Sequence, residues 1–292
     1  MKIAIGMFLL MLLSATGWSA DYLEGDIQKL ILTPAKDMER AELYSFQGTK
    51  QLKAILILSP GYNQSGENLV RDAKWQQFAR QNGLGLLGLS FASEPELFKQ
   101  ERGYYYASQG SGEVLLSGIN KIHGDELPLL LYGFSGGAQF TSRFVEWKPG
   151  RVLAWCAYSA AWWDEPKSAE SMPPGIVACG ARDERLGASL LYFKQGRAAG
   201  KPWLWVEVAD TGHRMNAGLD EFVRQYFAAF LKNQQSPNPR REGVWLDIDR
   251  LEMIPKDSEH PALTGWLPDR KLFRQWQDLN RNDNESKQEI NQ

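Results

Sequence analysis

Between Lys53 and Lys232, short apolar runs alternate with longer stretches in which apolar residues recur every three or four positions. The runs Ala54 to Ser59, Leu84 to Phe91, Leu129 to Phe134, Val152 to Ser159, Gly175 to Cys179 and Trp203 to Ala209 are short and mostly bounded by Gly, Pro or Asp, which predicts strands. The stretches Glu67 to Gln81, Gly112 to Ile122, Ala138 to Trp147, Leu186 to Ala199 and Leu219 to Lys232 carry the helical period. Strand and helix in alternation predict an α/β fold, with a mostly parallel central sheet covered by helices on both faces. Ahead of it, residues 21–51 predict one or two leading antiparallel strands from a weaker pattern. Behind it, Asn233 to Glu242 is rich in Pro, Asn, Gln and Arg and reads as a linker. Trp245, Leu246, Ile248 and Leu251 can still pack beyond the linker. Gly265-Trp266-Leu267-Pro268, with a helical Lys271 to Leu279, predicts a short C-terminal extension docked through its aromatics. The last dozen residues are polar and read as a disordered tail. The expected organisation is a leader over residues 1–20, one domain over 21–232, and linker, extension and tail over 233–292.

Composition narrows the class. The chain has 292 residues, 43% hydrophobic and 23% charged, enough for one large core, and its formal charge of −2 offers no electrostatic footprint for nucleic acid or anionic lipid. Lys2, the apolar run Ile3 to Leu13 and the small, polar Ser14-Ala15-Thr16-Gly17 read as a cleavable export signal, with processing between Ala15 and Ala20. A permanent membrane anchor is the competing reading, but this run, interrupted by Gly6, falls short of the roughly 20 residues that span a bilayer. The expected location is therefore periplasmic or extracellular, with no stable membrane insertion after cleavage. Export would permit Cys156 and Cys179 to pair, yet both sit in strand-like apolar runs where a bridge between neighbouring strands is awkward, so two buried thiols are expected. Three histidines without ligand-spaced neighbours point to no metal, and no cofactor is expected.

The chemistry concentrates in Leu130-Leu131-Tyr132-Gly133-Phe134-Ser135-Gly136-Gly137-Ala138-Gln139, an apolar strand leading through G-x-S-x-G into a helix. A serine at such a strained turn needs small neighbours, and Gly133 and Gly137 supply them. A serine hydroxyl also needs a base within hydrogen-bond reach, itself oriented by a carboxylate. In a parallel sheet the reactive groups gather beyond the carboxyl ends of the strands, so acid and base should follow later strands. Asp183 and His213 do so. Glu184 or Asp210 are alternatives for the acid, while His123 precedes the nucleophile strand at the wrong end and His260 lies in the tail. The oxyanion of an acyl-transfer intermediate needs two backbone donors. Gly136 N–H is one, and the loop Ser59-Pro60-Gly61-Tyr62-Asn63-Gln64-Ser65-Gly66 offers Tyr62 N–H as the other. About fifteen residues separate Ser159 from Gly175, too few for a large lid. Trp162 and Trp163 in that loop, and Tyr104-Tyr105-Tyr106 after another strand, are candidates to wall a pocket for an acyl, aryl or sugar group, or else to pack loop against core.

The strings PGYNQSG, GFSGG, GARDE and DTGH, in this order, resemble the α/β-hydrolase superfamily over roughly Lys53 to Lys232. Within it the chain is most similar to secreted esterases grouped with poly(3-hydroxybutyrate) depolymerases, feruloyl and acetylxylan esterases and dienelactone hydrolases. Pro60 stands where that group commonly has histidine before the oxyanion donor. The resemblance implies Ser135, Asp183 and His213 as catalytic triad, and hydrolysis of a small-molecule or polymer-borne ester. Peptides and thioesters are open alternatives, as is a catalytically silent binding protein of the same fold.

Overall fold

A computed structural model describes residues 26–124, 127–166, 172–233, 243–255 and 261–281. The leader, most of the linker, His260 and the polar tail lie outside the described residues. Eight strands form one sheet: β1 (Ile27–Ile31), β2 (Arg40–Gln47), β3 (Ala54–Ser59), β4 (Leu84–Ala92), β5 (Leu129–Phe134), β6 (Val152–Tyr158), β7 (Gly175–Gly180) and β8 (Trp203–Val208). Their order is β1-β2-β4-β3-β5-β6-β7-β8, with β1 and β2 antiparallel to their neighbours and β3 to β8 mutually parallel. The two leading strands are thus an antiparallel edge on a parallel sheet. Strands β3, β4, β5, β7 and β8 are buried almost throughout, as their unbroken apolar runs require when helices cover both faces.

The helices are α1 (Glu67–Arg71), α2 (Ala73–Asn82), α3 (Pro95–Phe98), α4 (Ser111–His123), α5 (Gly136–Trp147), α6 (Leu186–Ala198), α7 (Ala217–Asn233) and α8 (Phe273–Asn280). Neighbouring residues of β5 show how they divide between the faces. The Tyr132 hydroxyl donates to Asp220 of α7 at 2.5 Å, and its ring lies 5.4 Å from that of Trp75 in α2. A Cβ on Gly133, pointing the opposite way, would meet Gly137 O and Thr141 Oγ1 of α5. Helices α2 and α7 therefore cover one face and α5 the other.

Two features depart from the sequence reading. The stretch Glu67 to Gln81 is two helices, because Asp72 adopts an extended conformation (ψ 122°) and caps α2, accepting from Lys74 N at 2.9 Å and Trp75 N at 3.0 Å. The extension contains a small sheet of its own, in which β9 (Val244–Asp247) is flanked by β10 (Glu252–Ile254) and β11 (Thr264–Leu267). Trp266 and Trp276 are buried where the extension meets the main sheet, and Arg197 of α6 donates from Nε to Thr264 O at 2.6 Å and from Nη2 to Thr264 Oγ1 at 2.8 Å. Cys156 and Cys179 are buried, free thiols. No described helix is long and apolar enough to cross a membrane.

Candidate active site

In the strand order, β4 and β5 lie on opposite sides of β3, so the chain reverses direction across the sheet between the loops after β3 and β5. Such a switch point opens a crevice at the carboxyl edge. The loop after β3 carries Tyr62 and the loop after β5 carries Ser135. Ser135 adopts φ 54°, ψ −117°, outside the regions an L-residue normally occupies, and its N–H is held by Tyr158 O at 2.9 Å. This turn needs α5 to approach the β3 loop closely. A Cβ on Gly137 would lie 2.2 Å from Ser59 O and 2.4 Å from Pro60 O, so only glycine fits there.

Ser135, His213 and Asp183 come from three loops and meet. His213 Nε2 lies 3.0 Å from Ser135 Oγ, and His213 Nδ1 lies 2.8 Å from Asp183 Oδ2. A carboxylate can only accept, so Nδ1 carries the imidazole proton and Nε2 is the acceptor for the serine hydroxyl. The ring stacks on Phe134 at 4.9 Å with 26° between planes, which fixes its orientation. The side chain of Asp183 is wholly buried. Burial pushes its pKa up, but hydrogen bonds from His213, Arg185 N–H, the Ser159 hydroxyl and the Arg185 guanidinium outweigh this and hold it below the ordinary carboxylate value. The acid and base loops are tied by backbone contacts. Arg182 N–H donates to Thr211 O at 2.9 Å, and a Cβ on Gly180 would lie 2.2 Å from that same carbonyl.

Tyr62 and Gly136 also come together. A Cβ built on Gly136 would lie 3.0 Å from both Tyr62 N and Tyr62 Cα, so the backbones of the two residues are adjacent. The Tyr62 loop is braced from behind. Asn63, at φ 53°, exchanges hydrogen bonds with Ser93, giving from Nδ2 at 2.9 Å and accepting at Oδ1 at 3.1 Å. Arg40 Nη2 donates to Asn63 O at 2.5 Å, and Asn63 N–H donates to the buried Tyr104 hydroxyl at 3.4 Å.

The two tryptophans part company. Trp163 stacks on Tyr192 at 4.3 Å and donates to Ser189 Oγ at 3.3 Å, packing the loop onto α6. Trp162 is 57% exposed and lies 4.2 Å from Phe98, which in turn meets Tyr105 at 5.3 Å, and Tyr105 stacks with Tyr62 at 6.1 Å. A line of rings therefore runs from solvent to the Tyr62 loop. Among the histidines, His123 sits beside Gly85 at the start of β4, at the sheet edge opposite Ser135, and burial pushes its pKa down to about 4. Glu184 is solvent-facing and Asp210 pairs with Arg182, so neither alternative acid reaches His213.

Sequence reasoning passed over Arg185, whose backbone N–H and Nη1 each donate to Asp183 Oδ1 at 3.1 Å. Its position two residues after Asp183 was the available signal. It also missed Arg40 and Asn63 as braces, which no local pattern marks.

Neither a protein-family model nor a curated protein matches the chain. Solved structures do match. They include the fluorophosphonate-binding serine hydrolase FphF of Staphylococcus aureus, at 13% identity and TM-score 0.53 over 71% of this chain and 98% of that one. The poly(3-hydroxybutyrate) depolymerase LpqC from Bordetella parapertussis is similar at 15% identity and TM-score 0.52, over 70% of this chain and 88% of that one. A hyperthermophilic esterase from Pyrobaculum calidifontis gives 13% identity and TM-score 0.54, over 71% and 85%. At such identities the likeness is one of fold, and the chain has the α/β-hydrolase fold.

Proposed function

We propose that this protein is an exported serine hydrolase that cleaves carboxylic esters through an acyl-enzyme on Ser135. The observation that carries the reading is the unbroken relay of 3.0 Å from Ser135 Oγ to His213 Nε2 and 2.8 Å from His213 Nδ1 to Asp183, on a serine held in a strained turn. His213 takes the hydroxyl proton as Oγ bonds to the ester carbonyl carbon, and the carbonyl π electrons move onto its oxygen. Asp183 stabilises the imidazolium, while Tyr62 N–H and Gly136 N–H receive the oxyanion. Collapse of the tetrahedral adduct breaks the bond to the alcohol, which leaves with the proton from Nε2. Water then repeats the sequence, giving its proton to Nε2 and its oxygen to the acyl group, and Ser135 is regenerated.

Trp162, with Phe98 behind it, supports a wall for the group flanking the scissile bond, whereas Trp163 is engaged with Tyr192. The ester reading takes a named esterase and a depolymerase of similar fold as its guide, and because a dipeptidyl peptidase has a similar fold too, peptides belong in the same screen. Export rests on the character of residues 1–20. The test is labelling with a fluorophosphonate probe, followed by a screen of ester, thioester and peptide substrates. Stoichiometric labelling of Ser135, abolished in a folded Ser135→Ala variant, is expected. A folded chain that resists the probe would be a silent binding protein, and turnover by Ser135→Ala would refute the nucleophile.

A further inference from the structure

Strand β8 is the outermost strand of the main sheet, and its free edge is closed by the C-terminal extension. The contacts follow its outward-facing residues in turn. Trp205 O accepts from Trp276 Nε1 at 2.8 Å, Glu207 N–H donates to Asn280 Oδ1 at 2.7 Å, and Ala209 N–H donates to Leu279 O at 2.9 Å. Covering an edge strand prevents unwanted pairing, which accounts for the first contact. The other two fall where the site begins. Ala209 opens the loop that carries His213, and Gly218, in the first turn of α7, closes it. A Cβ on Gly218 would lie 3.3 Å from Leu279 Cδ2, so Leu279 touches the loop at both ends with His213 between them. Asn280 is itself held, donating from Nδ2 to Trp276 O at 2.7 Å. The inner side of the loop is anchored to the acid loop through Thr211 O. The histidine loop is thus clasped between the Asp183 loop and the end of α8.

We infer that α8, through Leu279 and Asn280, positions His213 for proton transfer from Ser135, so that the extension belongs to the machinery of the site as well as to the sheet edge. The inference rests on the serine-hydrolase reading given above. Leu279 and Asn280 touch no reacting atom; they are positioning residues. The leverage is geometric, because a general base works only within hydrogen-bond reach of its proton.

The test compares the full chain with chains ending at Arg281 and at Asp278, and with Asn280→Ala and Asn280→Asp. The chain ending at Arg281 should behave as the full chain. The chain ending at Asp278 and Asn280→Ala should lose about 10- to 100-fold in kcat on a small aryl ester while KM stays within about twofold, the cost expected of a misplacement of order 1 Å. Their low-field proton resonance from the His213–Asp183 hydrogen bond should broaden or vanish, with circular dichroism unchanged. Asn280→Asp, which keeps an acceptor for Glu207 N–H, should recover most of the rate. Unchanged kcat and an intact low-field resonance in the chain ending at Asp278 would overturn the inference, as would a loss wholly accounted for by a smaller folded fraction. If the full chain is not labelled by fluorophosphonate, the hydrolase reading fails by itself, and the resonance still reports whether α8 orders the imidazole.

Discussion

Replacing Asp183 with asparagine separates orientation of the imidazole from its mere presence, and the structure dictates which way the new amide must turn. Oδ1 of Asp183 accepts from Arg185 N–H and Arg185 Nη1, both at 3.1 Å. In Asp183→Asn the amide oxygen must stay with these two donors, since an amide NH₂ there would face N–H groups and leave all of them unpaired. The NH₂ is therefore forced toward His213 Nδ1, at the position now occupied by Oδ2 at 2.8 Å. Nδ1 must then accept, which moves the imidazole proton to Nε2, where it points at Ser135 Oγ across 3.0 Å and can no longer take the hydroxyl proton. Triad hydrolases trapped in the wrong tautomer lose about 10⁴ in kcat, which is about 5.5 kcal/mol of transition-state stabilisation. Stability should fall by only about 1 kcal/mol, because the oxygen still serves Arg185 and Arg185 keeps Glu184 at 3.0 Å. The assay is steady-state hydrolysis of an aryl ester across pH, beside urea denaturation, with Glu184→Gln and Asp210→Asn as controls. Activity of Asp183→Asn within about tenfold of the parent, or a loss of similar size in either control, would show that Asp183 is not the orienting acid.

Three further outcomes are expected. Gly137→Ala puts a methyl 2.2 Å from the Ser59 carbonyl, which cannot swing aside, so it should cost about 1–3 kcal/mol in denaturation and slow fluorophosphonate labelling more than tenfold by displacing the Tyr62 loop; normal labelling would disprove the tight approach. His123 is held neutral by burial, with its pKa pushed down from 6.5 to about 4, so the unfolded chain takes up the proton first as pH falls. Its contribution is whole above pH 6.5 and is lost between there and pH 4, up to about 3 kcal/mol, and His123→Gln should flatten the stability profile across that window; an unaltered slope counts against the assignment. Trp162→Ala should lower kcat/KM for esters with a bulky apolar group by about tenfold and leave acetyl esters unaffected, since the exposed ring supports no core; equal effects on both would place the substrate elsewhere.

What the sequence disclosed follows from how local each determinant is. The strands of the parallel sheet were legible because both of their faces are buried, which forces apolar runs that few other elements produce. The break at Asp72 was not, because the apolar period runs through it and the only sign was a capping aspartate three residues before Trp75. Strands β9, β10 and β11 are three or four residues long and exist through pairing such as Trp266 opposite Trp245, a tertiary fact. In the site, Ser135, Asp183 and His213 could be named from chain order and then meet in space. The supports could not, since Arg40 braces Asn63 and Asn280 braces Glu207 over long separations that leave no local trace. Trp162 and Trp163 show the limit in miniature: adjacent in sequence, they diverge to Phe98 and Tyr192, a choice made by the loop's path.

Backbone strain gives an independent reason to locate function at this edge. Seven described residues other than glycine have positive φ, and four of them, Asn63, Ser135, Ser159 and Asp210, lie in the loops that follow the parallel strands β3, β5, β6 and β8, all at the carboxyl edge. Conformations of this kind cost of order 1–3 kcal/mol each and persist only where neighbouring contacts over-determine them. Those contacts are present: Asn63 with Ser93, Ser135 N–H with Tyr158 O, Ser159 N–H with Ala178 O, and Asp210 with Arg182. Asparagine and aspartate enter the left-handed region cheaply, so two of the four could be ordinary turns. Serine has no such excuse. Ser135 is further displaced by ψ −117°, and it holds the hydroxyl that His213 meets, while the Ser159 hydroxyl lies 3.6 Å from Cys179 Sγ. A sheet built for packing alone has no need of such a turn at Ser135, and its survival there points to this edge as the place to look for function.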